Sequence, residues 1–319
     1  MALFLISGGA GFIGSHIAQA LVARGDRVRV LDNLSSGRLS NLEPHRVGTI
    51  GSGAPIELIE GEVFDPAVVA KACAGVRGVF HQAALVSVPR SVEHPELSFQ
   101  INVDGTFQLL EAARQAGVER FVLASSAAIY GADPSLPKRE EMSPAPLSPY
   151  GGDKLIGETM LAVYGRSYGL KTVSLRYFNV YGPKQADDSP YSGVIAIFAK
   201  AALEKRRVQI HGDGEQTRDF VFVEDVAAAN LLAMGAEVEP GRVFNVGAGA
   251  SISIAGLQRL IGLEAGFPEQ PEHLPGRDGD LRHSLASIDR IRGELGFSPR
   301  VGFEEGLRRT LDGYRAQLG

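Results

Sequence analysis

The first half of the chain alternates short apolar runs with longer segments that are apolar on one side only. Residues 3–7 form a continuous apolar run, which predicts a strand. In residues 12–24, Ile13, Ile17 and Leu21 recur at a spacing of four, which predicts a helix. Similar patterns predict strands at 28–31, 56–60, 78–81, 121–125 and 172–176, and helices at 96–116 and from 149 to about 168. Strands that alternate with helices of this length predict βαβ units and a parallel sheet.

From about Phe178 the pattern becomes shorter and less regular. Residues 182–193 form a polar loop that contains proline, and residues 268–282 are rich in proline, glycine and charge, as is typical of a loop over a site. We therefore expect a parallel α/β domain over residues 1–178 and a smaller mixed α/β lobe over residues 179–319. Residues 220–234 are compatible with either unit, since they could return to the first sheet.

Composition narrows the class of protein. The 319 residues include 44% hydrophobic and 22% charged residues, which is ordinary for a globular chain with a full core. The formal net charge of −5 argues against a broad basic face for nucleic acid. No apolar run approaches the roughly 20 residues of a membrane helix. Cys73 is the only cysteine and the histidines are scattered, so we expect no disulfides, no metal site and a cytoplasmic location.

A glycine-rich turn joins the first predicted strand to the first predicted helix. Gly8, Gly11 and Gly14 have the spacing Gly-x-x-Gly-x-x-Gly, which allows bare backbone to approach a pyrophosphate at a helix N-terminus. Asp32 ends the next strand, 18 residues after Gly14, where a carboxylate accepts ribose hydroxyls and repels a 2′-phosphate. The pattern therefore favours NAD as the cofactor. Because Arg38 lies nearby, NADP stays open as an alternative. A tight turn without a ligand is the other interpretation.

A second group of residues suggests proton transfer. Tyr150 and Lys154 lie one helical turn apart, so the ammonium group can stabilise a phenolate and lower its pKa. Alone, such a pair favours the other interpretation, a tyrosine that packs on a lysine stem at the surface. Ser126 follows a predicted strand at the edge where open α/β sheets bind ligands, although a serine there can also cap a turn. The order of glycine turn, serine and Tyr-x-x-x-Lys favours an oxidoreductase-type site.

These motifs resemble the extended short-chain dehydrogenase/reductase superfamily and, within it, the nucleotide-sugar epimerase/dehydratase family. The segments that carry the resemblance are residues 80–84, 102–106, 125–126, 129–131, 148–150, 175–183, 212–214, 218–220 and 277–280. The resemblance implies a Rossmann-type parallel sheet flanked by helices, with a smaller mixed α/β lobe that binds the substrate. It also implies that Ser126, Tyr150 and Lys154 are the catalytic residues.

The resemblance further implies two sets of binding residues. NAD is expected to contact Gly8, Gly11, Phe12, Ile13, Gly14, Asp32, Asn33, Ser36, Gly37, Glu62, Val63, Ala83, Ala84, Asn102, Tyr150, Lys154 and Tyr177. A UDP-sugar is expected to contact Ser87, Val88, Ser126, Tyr150, Asn179, Val194, His211, Arg218, Arg277 and Ser284. The arginines suit this role because guanidinium groups bind phosphate oxygens in bidentate fashion.

Small residues at two places narrow the range of reactions and of substrates that the resemblance implies. Ala127 and Ala128 follow Ser126 where dehydratases and decarboxylases of the family carry a carboxylate, which leaves inversion at C4. Ser284 lies where a large residue in relatives excludes an acetamido group, so the small side chain leaves room for it. The resemblance thus implies interconversion of UDP-GlcNAc and UDP-GalNAc, and of UDP-Glc and UDP-Gal, through a transient 4-keto sugar.

Three alternatives stay open at this point. Another nucleotide-sugar oxidoreductase shares these motifs but releases its cofactor, a UDP-glucuronate-type 4-epimerase differs in substrate, and a non-enzymatic NAD-binding protein shares only the glycine turn. The resemblance also implies a homodimer, in which two helices of each chain pair. The apolar residues expected at that interface are Leu97, Ile101, Phe107, Leu110, Ile156, Met160 and Tyr164. No nucleic-acid or membrane partner is expected.

Overall fold

The structure is a computed structural model that describes residues 1–186, 193–276 and 281–318. Its strands are β1 Leu3–Ser7, β2 Arg27–Asp32, β3 Val47–Gly48, β4 Ile56–Glu60, β5 Gly78–His81, β6 Arg120–Ser126, β7 Lys171–Tyr177, β8 Asn179–Tyr181, β9 Gln209–His211, β10 Thr217–Arg218, β11 Phe220–Phe222, β12 Arg242–Val246, β13 Ile252–Ser253 and β14 Glu272–Leu274. Its α-helices are α1 Phe12–Ala23, α2 Pro66–Cys73, α3 Val88–Glu93, α4 Pro95–Phe99, α5 Gly105–Gln115, α6 Pro149–Tyr168, α7 Val194–Leu203, α8 Val223–Gly235, α9 Ile254–Glu264, α10 Asp289–Leu295 and α11 Phe303–Leu318. Short 3-10 turns span Leu39–Leu42 and Ala127–Tyr130.

Eight strands form a parallel sheet in the order β12-β7-β6-β5-β1-β2-β4-β3. The direction of the strand order reverses between β1 and β5, and open α/β sheets bind their ligands at the carboxyl ends of the strands at such a point. Ser7 at the end of β1 is in register with His81 at the end of β5. The predicted Rossmann-type sheet flanked by helices is confirmed.

Apolar side chains cover both faces of this sheet. On one face, α1 and α8 contribute Ile17, Leu21 and Val226 to a core with the strands. On the other face, Val69 of α2 and Leu161 of α6 pack into a second core together with residues of α5. Burial at this scale is the main source of stability, because each fully buried aliphatic side chain contributes about 1.5–3 kcal/mol.

The chain leaves the main sheet after β7 and returns to it at β12. Strand β12 pairs in parallel with β7, and Val226 and Ala229 of α8 lie in the same core as α1. Between and after these elements, α7, α9 and α11 surround a third apolar core that includes Tyr181, Phe198 and Leu257. We call the elements around this third core, together with β10, β13 and β14, the second lobe. The boundary near residue 178 stays a prediction.

The long helix expected at residues 96–116 is interrupted. The structure has α4, then a π-helical turn at Gln100–Asp104, and then α5. A π-turn inserts one extra residue and frees backbone carbonyl groups, and such turns are frequent at functional sites. Here Thr106 Oγ1 donates to the carbonyl oxygen of Asn102 at 2.6 Å, which satisfies one of them. Asn102 is buried and faces the sheet side of the helix. In the part of the chain that the structure describes, no helix is both long and apolar enough to cross a bilayer.

Candidate active site

Backbone segments approach one another closely at the glycines that follow β1. Gly8 has a φ of +70°, which favours glycine, and a Cβ there would lie 2.7 Å from the Ala83 nitrogen. A Cβ on Gly14 would lie 2.2 Å from the Gly8 carbonyl oxygen. Gly11 is the N-cap of α1 and has no side chain to occupy the helix N-terminus. These glycines leave bare backbone N–H groups at the helix N-terminus, an arrangement of the kind that binds a pyrophosphate.

Asp32, at the end of β2, lies beside this glycine-rich turn. It is buried, and its two oxygens accept hydrogen bonds from the Ala10 and Leu34 nitrogens, each at 2.9 Å. Burial raises the pKa of the carboxyl group, and the two hydrogen bonds partly oppose that effect. A Cβ on Gly37 would lie 2.8 Å from Asp32 Oδ1, so the neighbouring loop approaches the carboxylate closely. The remaining lone pairs of Asp32 are suited to ribose hydroxyls.

The other residues expected at the cofactor lie around these two features. Asn33 Nδ2 donates to both carboxylate oxygens of Glu62, at 3.0 and 3.1 Å, and both side chains are accessible beyond the ends of β2 and β4. Phe12 and Ile13 are half-buried in the first turn of α1, Ser36 is exposed, and Val63 is buried. The residues present fit a dinucleotide, because the glycines leave bare backbone at the N-terminus of α1 and the Asp32 carboxylate lies beside it.

The predicted catalytic residues lie together in the structure. Ser148 caps α6, with Oγ accepting from the Gly151 nitrogen at 3.2 Å, and Pro149 takes the first turn. This start places Tyr150 and Lys154 on one buried side of α6, with Lys154 Nζ 5.8 Å from the centre of the Tyr150 ring. Ser126 ends β6, and its side chain lies close enough to that of Tyr150 to act on the pKa of the phenol.

Burial controls the proton affinities of this group. It raises the pKa of Tyr150, and the hydrogen bond from Ser126 acts against that increase. It lowers the pKa of Lys154 to about 8, although the nearby charge of Asp153 acts in the opposite direction. Lys154 Nζ donates to the Ala124 carbonyl oxygen at 2.8 Å, which directs the ammonium group toward the end of β6. A cation beside a phenol favours the phenolate, so the position of Lys154 is suited to lowering the pKa of Tyr150.

A buried chain of hydrogen bonds fixes the ends of β1 and β5. Because Thr106 donates to a carbonyl oxygen, its Oγ1 accepts from His81 Nε2–H at 2.9 Å. His81 Nδ1 therefore accepts from Ser7 Oγ–H at 2.6 Å, and Ser7 Oγ accepts from the Ala83 nitrogen at 3.4 Å. Burial, with a smaller contribution from Lys154, lowers the pKa of His81 to about 3. His81 is thus neutral, and the segment that carries Ala83 is held in place.

Asn102 holds the segment after β5 from the other side. Its Oδ1 accepts from the Leu85 nitrogen at 2.9 Å and its Nδ2 donates to the Leu85 oxygen at 3.2 Å. Ala83 and Ala84, both half-buried, come directly before Leu85. Asn102 therefore positions a cofactor-facing segment whether or not it touches the cofactor itself.

Tyr177 has partners that the sequence did not reveal. It ends β7 in register with Ser126, and Gln82 and Asn230 hydrogen-bond its hydroxyl group. Gln82 lies inside a family-like motif, but Asn230 lies on α8, and no local pattern marks it as part of the site. Burial raises the pKa of Tyr177, which keeps its phenol neutral.

The expected substrate residues lie on the second lobe and on the segment after β5. Ser87 caps α3, where Oγ accepts from the Arg90 nitrogen at 3.2 Å, and Val88 is exposed. Arg218 and Ser284 are adjacent, because the Ser284 nitrogen donates to the Thr217 oxygen at 3.0 Å. The remaining members are an exposed Asn179, a half-buried Val194, and His211, which contacts the Pro275 oxygen. Arg277 lies outside the described residues.

Asp219 joins the strands that carry these residues. The carboxylate is fully buried and accepts from the backbone nitrogens of Ala248, Gly249 and Ala286, at 2.7, 3.1 and 3.0 Å. Its own carbonyl oxygen accepts from the Asn179 nitrogen at 3.0 Å. Asp219 thereby fixes the relative position of Asn179 and the segment after Ser284. Burial raises its pKa to about 6 despite the three N–H donors.

Comparison with known proteins gives one family. Residues 4–247 match the model of the NAD dependent epimerase/dehydratase family. A UDP-glucose 4-epimerase of Mycolicibacterium smegmatis is 40% identical over 318 residues, with 98% of each chain covered. Among solved structures, a UDP-N-acetylglucosamine 4-epimerase from Methanobrevibacter ruminantium, in complex with UDP-N-acetylmuramic acid, has a TM-score of 0.93 at 37% identity over 99% of each chain. The UDP-glucose 4-epimerase of Thermus thermophilus, in complex with NAD, has a TM-score of 0.86 at 41% identity, covering 98% of this chain and 99% of its own.

The neutral, buried His81 predicts a specific acid sensitivity. Unfolded histidine binds a proton below its ordinary pKa of 6.5, whereas folded His81 does so only near 3. Its contribution to the unfolding free energy is therefore present above pH 6.5 and lost as the pH falls toward 3, at up to about 1.4 kcal/mol per pH unit. We expect His81→Gln to be less stable at pH 7 and to show a shallower decline between pH 6 and 4 in urea unfolding.

The exposed His94 offers a matched control for this measurement. His94→Gln should keep the slope of the native protein. An equal slope in native protein and His81→Gln would show that His81 is not the group whose protonation opposes folding.

Proposed function

Because the chain belongs to the NAD dependent epimerase/dehydratase family, we propose that it interconverts the C4 epimers of UDP-sugars. The proposed pairs are UDP-GlcNAc with UDP-GalNAc and UDP-Glc with UDP-Gal. Family membership confirms the predicted family and the predicted use of NAD. It also makes the chain an enzyme, so the non-enzymatic alternative is set aside.

One observation carries the proposal. Ser126, Tyr150 and Lys154 lie together at the carboxyl end of the sheet, where Tyr150 and Lys154 are buried and Ser126 is half-buried, and the residues that follow Ser126 are alanines. Ala127 and Ala128 begin a short 3-10 turn, so no carboxylate follows the serine there. Elimination of water or loss of carbon dioxide requires further acid–base groups, whereas inversion at one carbinol carbon requires one base and one donor. The site is matched to inversion.

The side chains of this chain have distinct roles in that reaction. Tyr150 accepts the proton of the sugar C4 hydroxyl group and later returns it. Ser126 donates a hydrogen bond to the same oxygen as charge develops on it, and Lys154 stabilises the phenolate. Tyr177 holds its proton and serves to position Gln82. When bound, NAD supplies reversible hydride removal and return at C4, so the net reaction consumes no oxidant.

The second lobe supplies the proposed UDP-sugar contacts. We propose that Arg218 and Arg277 bind the diphosphate and that Asn179 donates to it, since guanidinium groups are suited to phosphate oxygens. Ser284 lies beside Arg218 through the backbone pairing of Ser284 with Thr217, which supports a place near the sugar end of the same ligand. Its small side chain leaves space for an acetamido group on C2.

A direct assay tests the proposal. The purified protein is incubated separately with UDP-N-acetylglucosamine, UDP-glucose and UDP-glucuronate, without added NAD, and the C4 epimers are resolved. Epimers of the first two are expected. Epimerisation of UDP-glucuronate alone would favour the glucuronate alternative, and turnover that requires added NAD and stops at a keto or acid product would favour the oxidoreductase alternative.

Removal of the phenol oxygen tests the proton-transfer role. Tyr150→Phe should lower kcat by at least a factor of about 100, because general acid–base catalysis contributes that much or more. Ser126→Ala should lose less, since the base remains. Tyr168→Phe is a matched control on the same helix, because Tyr168 is 57% exposed. A near-normal kcat in Tyr150→Phe would remove this residue from the mechanism.

Substitution of Ser284 tests the size of the sugar pocket. Ser284→Tyr should lose activity on UDP-N-acetylglucosamine and keep part of its activity on UDP-glucose, a discrimination of about 1–3 kcal/mol. Ser284→Ala is the matched small variant and should keep both activities. Unchanged turnover of UDP-N-acetylglucosamine by Ser284→Tyr would refute the size effect, and equal loss of both activities would refute selectivity at this position.

We also propose that the protein is a homodimer. Phe99, Phe107 and Ile156 are 52%, 43% and 40% exposed although large and apolar. They lie on α4, α5 and α6, around a groove of about 760 Å³ that is lined by Glu96, Leu97, Phe99, Gln100, Val103, Asp104, Phe107 and Met160. Leu110 and Tyr164, expected at this interface, are instead buried within one chain, because they pack into the core beneath the two helices.

Charge on this groove should separate the two chains. Phe107→Glu is expected to give the mass of a monomer in light scattering at micromolar concentration, because burying an unpaired carboxylate is unfavourable. Leu263→Glu is the control, since Leu263 is 62% exposed on α9, away from the groove. A monomeric mass for the unchanged protein would contradict the homodimer.

A further inference from the structure

Asp153 is a buried carboxylate to which the proposed reaction gives no role. It comes directly before Lys154 on α6 and is only 6% exposed. Its Oδ2 accepts from Ser98 Oγ at 2.6 Å and from Asn102 Nδ2 at 3.3 Å. Both donors are neutral, so they orient the carboxylate without neutralising its charge.

The two donors cannot easily move away. Ser98 lies on α4 and is fully buried, and Asn102 lies in the π-turn, one helical turn later. Asn102 is also held by both backbone groups of Leu85. The carboxylate of Asp153 is therefore fixed in one place inside the protein.

Lys154 is the complementary buried charge. Its ammonium group donates to the Ala124 carbonyl oxygen, which is neutral. An ion that is buried among neutral partners is unfavourable unless an opposite charge is near. Asp153 and Lys154 are consecutive residues of α6 and both are buried, so their opposite charges lie in the same part of the interior, where the low effective dielectric constant strengthens their attraction.

The other ionisable groups around Lys154 do not provide it. On the same helix, Tyr150 is a neutral phenol and Glu158 is bound in bidentate fashion by Arg176, at 2.9 and 2.7 Å. From β5, His81 is neutral and uses both ring nitrogens in hydrogen bonds. From β7, Tyr177 holds its proton. Among the described residues near Lys154, Asp153 is thus the carboxylate that has no other cation bound to it.

We propose that Asp153 is a positioning residue whose fixed negative charge keeps Lys154 protonated beside Tyr150. The proposal rests on the proposed function for the role of Lys154. The pKa of Lys154 supports it, because the charge of Asp153 partly opposes the lowering that burial causes. Without that charge, the lysine would lose its proton at a lower pH and would no longer stabilise the phenolate.

The test separates charge from hydrogen bonding. Asp153→Asn keeps the size of the side chain and an oxygen that accepts from Ser98 and Asn102, but it removes the charge. Ser98→Ala removes one hydrogen bond and keeps the charge. With lysine labelled by ¹³C at the ε position, the titration of Lys154 is followed by NMR in each protein, and Lys154→Met assigns the signal.

We expect the midpoint of the Lys154 titration to fall by about one pH unit in Asp153→Asn and to stay in place in Ser98→Ala. The alkaline limb of the kcat profile should move with it, about tenfold in rate at a pH above the limb, while KM and the bound NAD stay close to native. If Asp153→Asn does not fold, Asp153→Ser carries the same expectation.

An unchanged midpoint in the neutral variant would overturn the proposal. Equal shifts in Asp153→Asn and Ser98→Ala would also overturn it, because packing rather than charge would then be responsible. The NMR titration needs no turnover. A protein that epimerises no UDP-sugar but shows the expected shift would contradict the proposed function and leave the charge effect established.

Discussion

The approach of bare backbone at Gly8 and Gly14 is the constraint on which the site depends. A Cβ on Gly8 would lie 2.7 Å from the Ala83 nitrogen, and a Cβ on Gly14 would lie 2.2 Å from the Gly8 carbonyl oxygen. Either would overlap backbone atoms. The ends of β1 and β5 and the first turn of α1 can therefore meet only with glycine at these positions. The Asp32 carboxylate accepts a hydrogen bond from the nitrogen of Ala10, which lies between the two glycines in the chain. Ser7 Oγ accepts one from the Ala83 nitrogen. The cofactor-facing parts of the site are thus fixed relative to one another.

The buried polar groups near these glycines are joined in a chain of hydrogen bonds. The direction of donation runs from Ser7 to His81 and from His81 to Thr106, so the imidazole is a structural, neutral group. Lys154 is a buried cation whose Nζ lies 5.8 Å from the centre of the Tyr150 ring. Because the low effective dielectric constant of the interior strengthens charge interactions, a single ammonium group has a large influence on Tyr150. In the proposed mechanism, the chemistry of the site therefore depends on whether Lys154 keeps its proton.

Much of this architecture could be predicted from local sequence patterns, whereas the parts that depend on long-range contacts could not. The glycine spacing and Tyr-x-x-x-Lys were readable because each depends on residues within two helical turns, and Asp32 was readable because it ends the adjacent strand. Asn230 was not, because it reaches Tyr177 from α8, 53 residues away in the chain. The π-turn was missed for a different reason. Its sequence has ordinary helical periodicity, and the extra residue is stabilised by Thr106 and by the partners of Asn102.

In the proposed reaction, one carbon of the sugar is inverted by NAD that never leaves the protein. The most direct measurement uses UDP-glucose that carries deuterium at C4, with the purified protein in ordinary water and no added NAD. We expect UDP-galactose that keeps the deuterium at C4, because the same NAD removes and returns the hydrogen. Loss of the label to water, or a requirement for added NAD to form the product, would contradict it.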